Sequence, residues 1–464
     1  MTAPPNPLAV LRSRAYLRLL VLAVVLGVPI AGAAFGFLKL TSLVQQWTFT
    51  DLPRAFGYTT APVWWPLVPL AAAGLLVGLT VRYLPGHGGE QPTAGFAARI
   101  APAAALPGIL LAAVASIGLG AVVGPEMPLI ALGGGLAYLA VTLGGRDVPA
   151  QTGAVVAATG SFAAISTLLG TPLAGAFLLL EASAVGGLLA TTVLLPGLLA
   201  AGVGALVFTG LDSLTGYGTF SLALPDLPTA GTPTVAEFGW AVVVGLAAAP
   251  ACVVMRRLAV ALSARVRRRP VPATVALGLI IAGLAIGYAE TTGHGVSDVL
   301  FSGEDQLPGL IEGRGGYTVA ALLVLLLCKG LAYVAALSAF RGGPTFPALF
   351  LGAAGGIALS HLPGLPVVPA VAMGMAAMTA AMLKLPMTAL LITTLLLGTD
   401  AFPVIPLTVV AVVVAYVAQV WLGPAPAAPA ASPAGRADMP APRRAGAPVE
   451  SSRSPGGRGD RTTG

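Results

Sequence analysis

Apolar stretches near or above the roughly 20 residues needed to cross the hydrocarbon of a bilayer recur along this chain. They cover 19–40, 66–81, 238–254, 275–288, 319–340 and 403–422. Only 9% of the residues are charged and 56% are hydrophobic, whereas a soluble globular domain carries about 25% charged residues. Such a composition belongs in a bilayer. Glycine and proline sit inside the apolar stretches as well as between them, so short and broken helices are expected. Broken backbone at membrane depth is tolerated only where protein or a water-filled cavity covers the freed polar groups. The interruptions therefore point to a transporter or channel core rather than a simple anchor.

The net charge of +7 matters less than its placement. Arg12, Arg14 and Arg18 precede the first apolar run, and Arg256, Arg257, Arg265, Arg267, Arg268 and Arg269 crowd the stretch 255–270. The positive-inside tendency places both on the cytoplasmic side, against lipid headgroups. Without interleaved aromatic residues the arginines do not read as a nucleic-acid surface. Cys252 and Cys328 both fall in apolar helices and are expected as reduced core thiols. The first apolar run is too long for the core of a cleavable signal peptide. Residues 424–464, rich in Pro, Ala, Gly, Ser and Arg, lack the large apolar side chains of a packed core and are expected to be disordered.

The remaining chain matches itself at three places in order. Gly86-His87-Gly88 returns as Gly293-His294-Gly295, offset by 207 residues. GPEMPLIALG (124–133) returns as GPTFPALFLG (343–352), offset by 219. Within 159–176 and 373–390, Gly160 and Pro172 match Gly374 and Pro386, both offset by 214. Three collinear matches predict a duplicated, two-half fold. The expected division is a short cytoplasmic segment (1–14), a first membrane half (15–254), an Arg-rich cytoplasmic connection (255–270), a second half (271–423) and the tail. The matches alone leave open whether the halves are parallel or inverted.

In GAVVGPEMPLIALGGGL (120–136), Gly and Pro end one helix and open the next, which places a helix N-terminus inside the membrane. Its unpaired N–H groups and positive dipole end suit an anion. Gly342 to Pro347 supplies a second such terminus from the other half. Two converging termini would hold a dehydrated anion without a full positive charge, firmly enough to select and weakly enough to release. Glu126 lies in the first turn, and a carboxylate in an apolar segment is a functional candidate by default. Deprotonated, it competes with the anion for the same N–H groups; protonated, it leaves. The bland reading is a carboxylate capping its own helix.

GPEMPLIALG resembles the signature G-[KR]-E-G-P-x-x-x-x-G of the CLC chloride channel and chloride–proton antiporter family, with Gly124, Glu126, Pro128 and Gly133 on matching positions and Pro125 and Met127 departing from it. TPLAGAFLLLE (171–181) is similar to the family's N-A-P-L-A-G-x-x-F-x-x-E. Lys329 resembles the lysine opening the helix before the third signature, G-G-x-F-x-P, which Gly342, Gly343 and Pro347 represent with Phe346 displaced by one position. Residues 383–406 resemble a late family segment, so the likeness spans about 15–423. Gly86-His87-Gly88-Gly89 takes the place of G-S-G-I-P, 39 residues before Glu126.

The resemblance implies an all-α integral membrane fold of about 16 to 18 broken helices in two inverted halves, forming a homodimer with one pore per subunit in the cell membrane. It makes Glu126 the gate and places the anion among Gly86, His87, Gly88, Gly124, Pro125, Met127, Pro128, Gly343, Pro344, Thr345 and Phe346, with Glu181 and Lys329 in supporting roles. His87 stands where the family has serine in chloride proteins and methionine in many fluoride exporters. A ring N–H there could donate to an anion, and protonation near a pKa of about 6.5 would add attraction. Coupled chloride antiporters carry a second acid directly after the residue matching Glu181; Ala182 stands there. The family's pore tyrosine would fall near 425–427, where none occurs, and Tyr416 is a poor substitute.

These features imply a chloride-conducting channel without an internal proton relay and with a loose inner gate. A fluoride/proton antiporter or an uncoupled chloride transporter is the alternative within the family. An intramembrane enzyme using Glu126 and His87 is the alternative outside it. No metal-spaced cluster, phosphate-binding loop or dinucleotide fingerprint is present, and no cofactor is expected. His294 and His361 read as turn and loop residues.

Overall fold

A computed structural model describes residues 11–94, 101–143, 148–183, 187–216 and 230–423. The tail expected to be disordered (424–464), positions 425–427 and most of the N-terminal segment lie outside the described residues. All regular structure in those residues is helical. The first half contains α1 (Arg14–Gln46), α2 (Leu67–Tyr83), α3 (Leu106–Gly118), α4 (Glu126–Thr142), α5 (Ala150–Leu168), α6 (Pro172–Ser183) and α7 (Gly187–Thr215). The second contains α8 (Val235–Arg268), α9 (Pro270–Thr292), α10 (Val319–Ala339), α11 (Thr345–Leu359), α12 (Val367–Leu383), α13 (Pro386–Leu397) and α14 (Ile405–Leu422). Two shorter helices, Leu52–Ala55 and Leu307–Glu312, lie between them.

Local signals set these boundaries. Ser13 and Thr318 accept the backbone N–H three residues on, and Thr234 and Glu237 exchange hydrogen bonds at the start of α8. Proline opens α9 and α13, where its missing N–H costs nothing. Gly293, at φ 76°, stops α9 in the left-handed conformation open to glycine. α6 and α13 have 12 residues each, about 18 Å at 1.5 Å per residue, and neither reaches across about 30 Å of hydrocarbon. By length and hydropathy, six helical segments of the described residues can cross, among them those ending at Arg268, Thr292 and Leu422. α12 is enclosed: every residue from Val368 to Leu383 is buried, as expected of a helix apolar all round. The protein is a multi-pass membrane protein of broken helices.

The repeat seen in the sequence is also a repeat of packing. Gly133 on α4 meets Gly160 on α5, and Gly352 on α11 meets Gly374 on α12. In both pairs a Cβ on either glycine would overlap its partner's carbonyl oxygen. The glycines matched at offsets of 219 and 214 thus perform one task twice, the close approach of two helices. Two of the pairs also match in length, with 33 residues in α1 and 34 in α8 and 12 in both α6 and α13.

One expectation is corrected. Residues 255–270 are not a connection, because α8 continues to Arg268 and the chain breaks only at Arg269, before Pro270. Arginine, alanine and leucine are good helix formers, so the arginines extend the helix until proline ends it. Arg256 and Arg257 donate to the carbonyls of Met382 (3.1 Å) and Leu422 (2.8 Å), in the last turns of α12 and α14, where helix dipoles favour cations. Cys252 and Cys328 are free thiols.

Candidate anion site

The site begins with two glycines 219 residues apart. Gly124 and Gly343 form an isolated antiparallel bridge: Gly124 N donates to Gly343 O at 2.8 Å, and Gly343 N donates back to Gly124 O. Pro125 and Pro344 come next and cap α4 and α11. The bridge therefore sets two helix N-termini side by side, one from each half. The pairing is reciprocal, each glycine donating to and accepting from the other. The first N–H groups of each helix lack intrahelical partners and carry the positive end of the dipole.

Glu126, the first residue of α4, is fully buried. Its side chain reaches across the bridge, and Oε1 accepts the amide N–H of Phe346 in α11 at 3.2 Å. The carboxylate lies over Gly124 and Gly343, in space that a Cβ on either would fill. That contact explains glycine at both positions. Oε2 and the Thr345 hydroxyl have no hydrogen-bond partner among the described residues. A carboxyl group thus rests on the N-terminus of the opposite half's helix.

A cavity of about 370 Å³ lies alongside, lined by Gly86, His87, Gly88, Met127, Pro128 and Gly342, together with Arg341 and Ala182. Met127 and Gly342 are each one residue from the contact between Glu126 and Gly343. All three signature segments meet here. His87 adopts φ 50° and is exposed. Its Nδ1 pairs with Val81 O at 3.0 Å, which leaves Nε2 as the ring atom for any other partner. No hydrogen bond joins His87 to Glu126 among the described residues.

Glu181 and Lys329 stand apart from the cavity. Glu181 Oε1 accepts Met387 N at 2.9 Å, and Oε2 accepts Thr388 N at 2.8 Å and the Thr388 hydroxyl at 2.6 Å. The carboxylate at the end of α6 therefore caps the start of α13, its repeat partner. Lys329 is fully buried. Its Nζ donates to the carbonyls of Asp298 (2.8 Å), Val299 (3.3 Å) and Leu300 (3.1 Å) and lies 4.2 Å from the centre of the Phe350 ring. All three donors of the ammonium are engaged, so it ties a loop to α10 instead of meeting an anion. His294 stacks on Tyr317, with ring centroids 4.1 Å apart, and His361 Nδ1 pairs with Ile357 O. Tyr416 is half-buried on α14.

Two buried residues escaped the sequence reading. Tyr333 on α10 donates its hydroxyl to Pro344 O at 2.7 Å, bracing the turn before α11. Arg341 directly precedes Gly342-Gly343 and is 4% exposed; an ionisable residue in an apolar stretch was the signal for it.

Residues 74–419, from α2 to α14, match the family model for the voltage gated chloride channel. YfeO of Salmonella schwarzengrund (strain CVM19633), named for ion transport, is 30% identical over 364 residues, covering 76% of this chain and 84% of that protein. YfeO of Escherichia coli O1:K1 is 30% identical over 360 residues, covering 76% and 82%. Among solved structures, a slow cyanobacterial Cl⁻/H⁺ antiporter superposes with a TM-score of 0.69 at 19% identity, over 88% of this chain and 96% of that one. A CLC-type fluoride/proton antiporter gives 0.62 at 20% identity, over 87% and 95%. The structural likenesses carry the fold alone. The family model, met across most of the chain, and the relatives matched over more than four-fifths of their length establish the lineage: this chain belongs to the voltage-gated chloride channel family.

Proposed function

We propose that the protein passes chloride and related small anions passively across the membrane, through one pore in each subunit of a homodimer, with Glu126 as the gate. The observation that carries this reading is the hydrogen bond from Phe346 N to Glu126 Oε1. A side-chain anion occupies a helix N-terminus supplied by the other half of the chain, and its departure would free that seat for a transported anion. Gly124, Pro125, Pro344 and Thr345 shape the seat, and the cavity at Gly86 to Gly88, Met127 and Pro128 leads to it.

Passive rather than proton-coupled flow is supported at Ala182. It lines the cavity directly after Glu181, where the coupled chloride antiporters of the family place an acid. A methyl group cannot relay protons. The same gap is shared by fluoride/proton antiporters, which keeps that chemistry as the second reading.

Purified protein in liposomes tests the proposal, with chloride, fluoride and proton movements recorded together. Chloride efflux without proton uptake is expected. Fluoride-selective efflux that drives protons uphill would replace the channel with an antiporter, and vesicles that stay sealed to every anion would overturn the transport reading.

A further inference from the structure

We propose that Arg341 is a fixed cation that holds a small monovalent anion in the cavity beside the Glu126 seat, giving the path a second anion site built on a full charge. The inference rests on the anion-transport reading above and adds a residue and a place to it.

Arg341 is buried, yet it is part of the lining of the 370 Å³ cavity. Its Nη1 donates to Ala339 O (3.3 Å) and Phe340 O (3.4 Å), and Nη2 donates to His87 O (3.2 Å). Nε has no hydrogen-bond partner among the described residues. Three acceptors serve a group with five N–H donors. The backbone N of Arg341 is fixed separately, donating to Ser116 Oγ at 3.0 Å. Carbonyl dipoles thus hold the group in position and leave its donor capacity unfilled.

A cation taken out of water is costly unless an anion or several hydrogen bonds compensate for it. Glu90 lines the same cavity as a counter-charge to the guanidinium, so an anion bound there must be held by the Nε donor that no described group meets, against the repulsion of Glu90. A structural clamp between the first signature loop and the third would account for the bond to His87 O alone. It would not account for the Nε donor left without a partner among the described residues. The cavity also adjoins the seat: Gly342 and Met127 line it, one residue from the bridge and the carboxylate. An anion resting near Arg341 is therefore poised to enter when Glu126 leaves. His87 is the other nitrogen donor on this wall, with one ring nitrogen already engaged.

Chloride binding to detergent-purified protein, measured by calorimetry, tests the assignment with Arg341→Gln and Arg341→Lys, alongside chloride efflux from vesicles. Loss of the charge is expected to weaken the cavity site at least about tenfold, since charges a few ångströms apart in a low dielectric interact strongly. Lysine should restore affinity to within about threefold, because charge rather than fork geometry is the requirement. Unchanged affinity in monodisperse Arg341→Gln would overturn the role of Arg341 and leave the transport proposal standing. Wild-type vesicles impermeable to anions would instead remove the reading beneath both. Should Arg341→Gln fail to fold, crystals of the wild type soaked in bromide decide the matter. An anomalous peak beside the guanidinium supports the site, and a cavity without one at saturating bromide refutes it.

Discussion

Glu126→Gln removes one charge from the centre of the molecule and changes almost no volume. In the wild type the carboxylate accepts the Phe346 amide at 3.2 Å, at the N-terminal end of α11. A hydrogen bond to a charged group contributes about 1.5–3 kcal/mol, against about 1 kcal/mol for a neutral one. The helix end adds about 0.3–1 kcal/mol for an anion. Glutamine keeps the neutral hydrogen bond and loses the rest, so the group competing with a free anion weakens by about 2 kcal/mol, or about thirtyfold at 1.4 kcal/mol per decade. Chloride titrated into purified Glu126→Gln should therefore bind about thirtyfold more tightly than to the wild type. Equal or weaker binding in a variant that melts at the wild-type temperature would refute the idea that carboxylate and anion share a seat.

The remaining predictions concern the frame that holds the site, read as thermal melting in detergent. Gly352→Ala would push a Cβ into the Gly374 carbonyl and should cost about 1–3 kcal/mol as an overpacking substitution; Gly133→Ala, at the equivalent contact with Gly160, should behave alike, and a benign result at either would deny the packing repeat. Glu181→Gln weakens the cap on α13 and should lower stability by about 1 kcal/mol. Lys329→Met strips the donor from three carbonyls, each costing about 1–3 kcal/mol if left without a partner. It should be the most damaging of these changes, far beyond Tyr333→Phe, which loses one hydrogen bond to Pro344 O worth about 1 kcal/mol.

The sequence made the two-half plan legible because close helix packing demands glycine, and Gly133, Gly160, Gly352 and Gly374 recur in order. Glu126 was legible for a different reason, since a carboxylate in an apolar run needs a partner. Its partner was harder to see: Phe346 sits one position off the family pattern, yet the contact uses its backbone N–H. Side-chain identity says little about a bond made by an amide, so the departure leaves that bond intact. The bridge between Gly124 and Gly343 depends on chain folding across 219 residues and leaves no local signature. Arg256 to Arg269 misled for a local reason, because a run of arginines suits a cytoplasmic loop and the last turns of a helix equally well. Arg341 was passed over beside a recognised motif, although the rule that singled out Glu126 applies to it without change.

The most direct test of the central claim is bromide anomalous diffraction from crystals of the wild type and Glu126→Gln. The account predicts a bromide peak at the Phe346 amide, over Gly124 and Gly343, in the variant and its absence there in the wild type, where the carboxylate holds the seat. Bromide at that position in both proteins, beside an undisplaced Glu126 carboxylate, would contradict it.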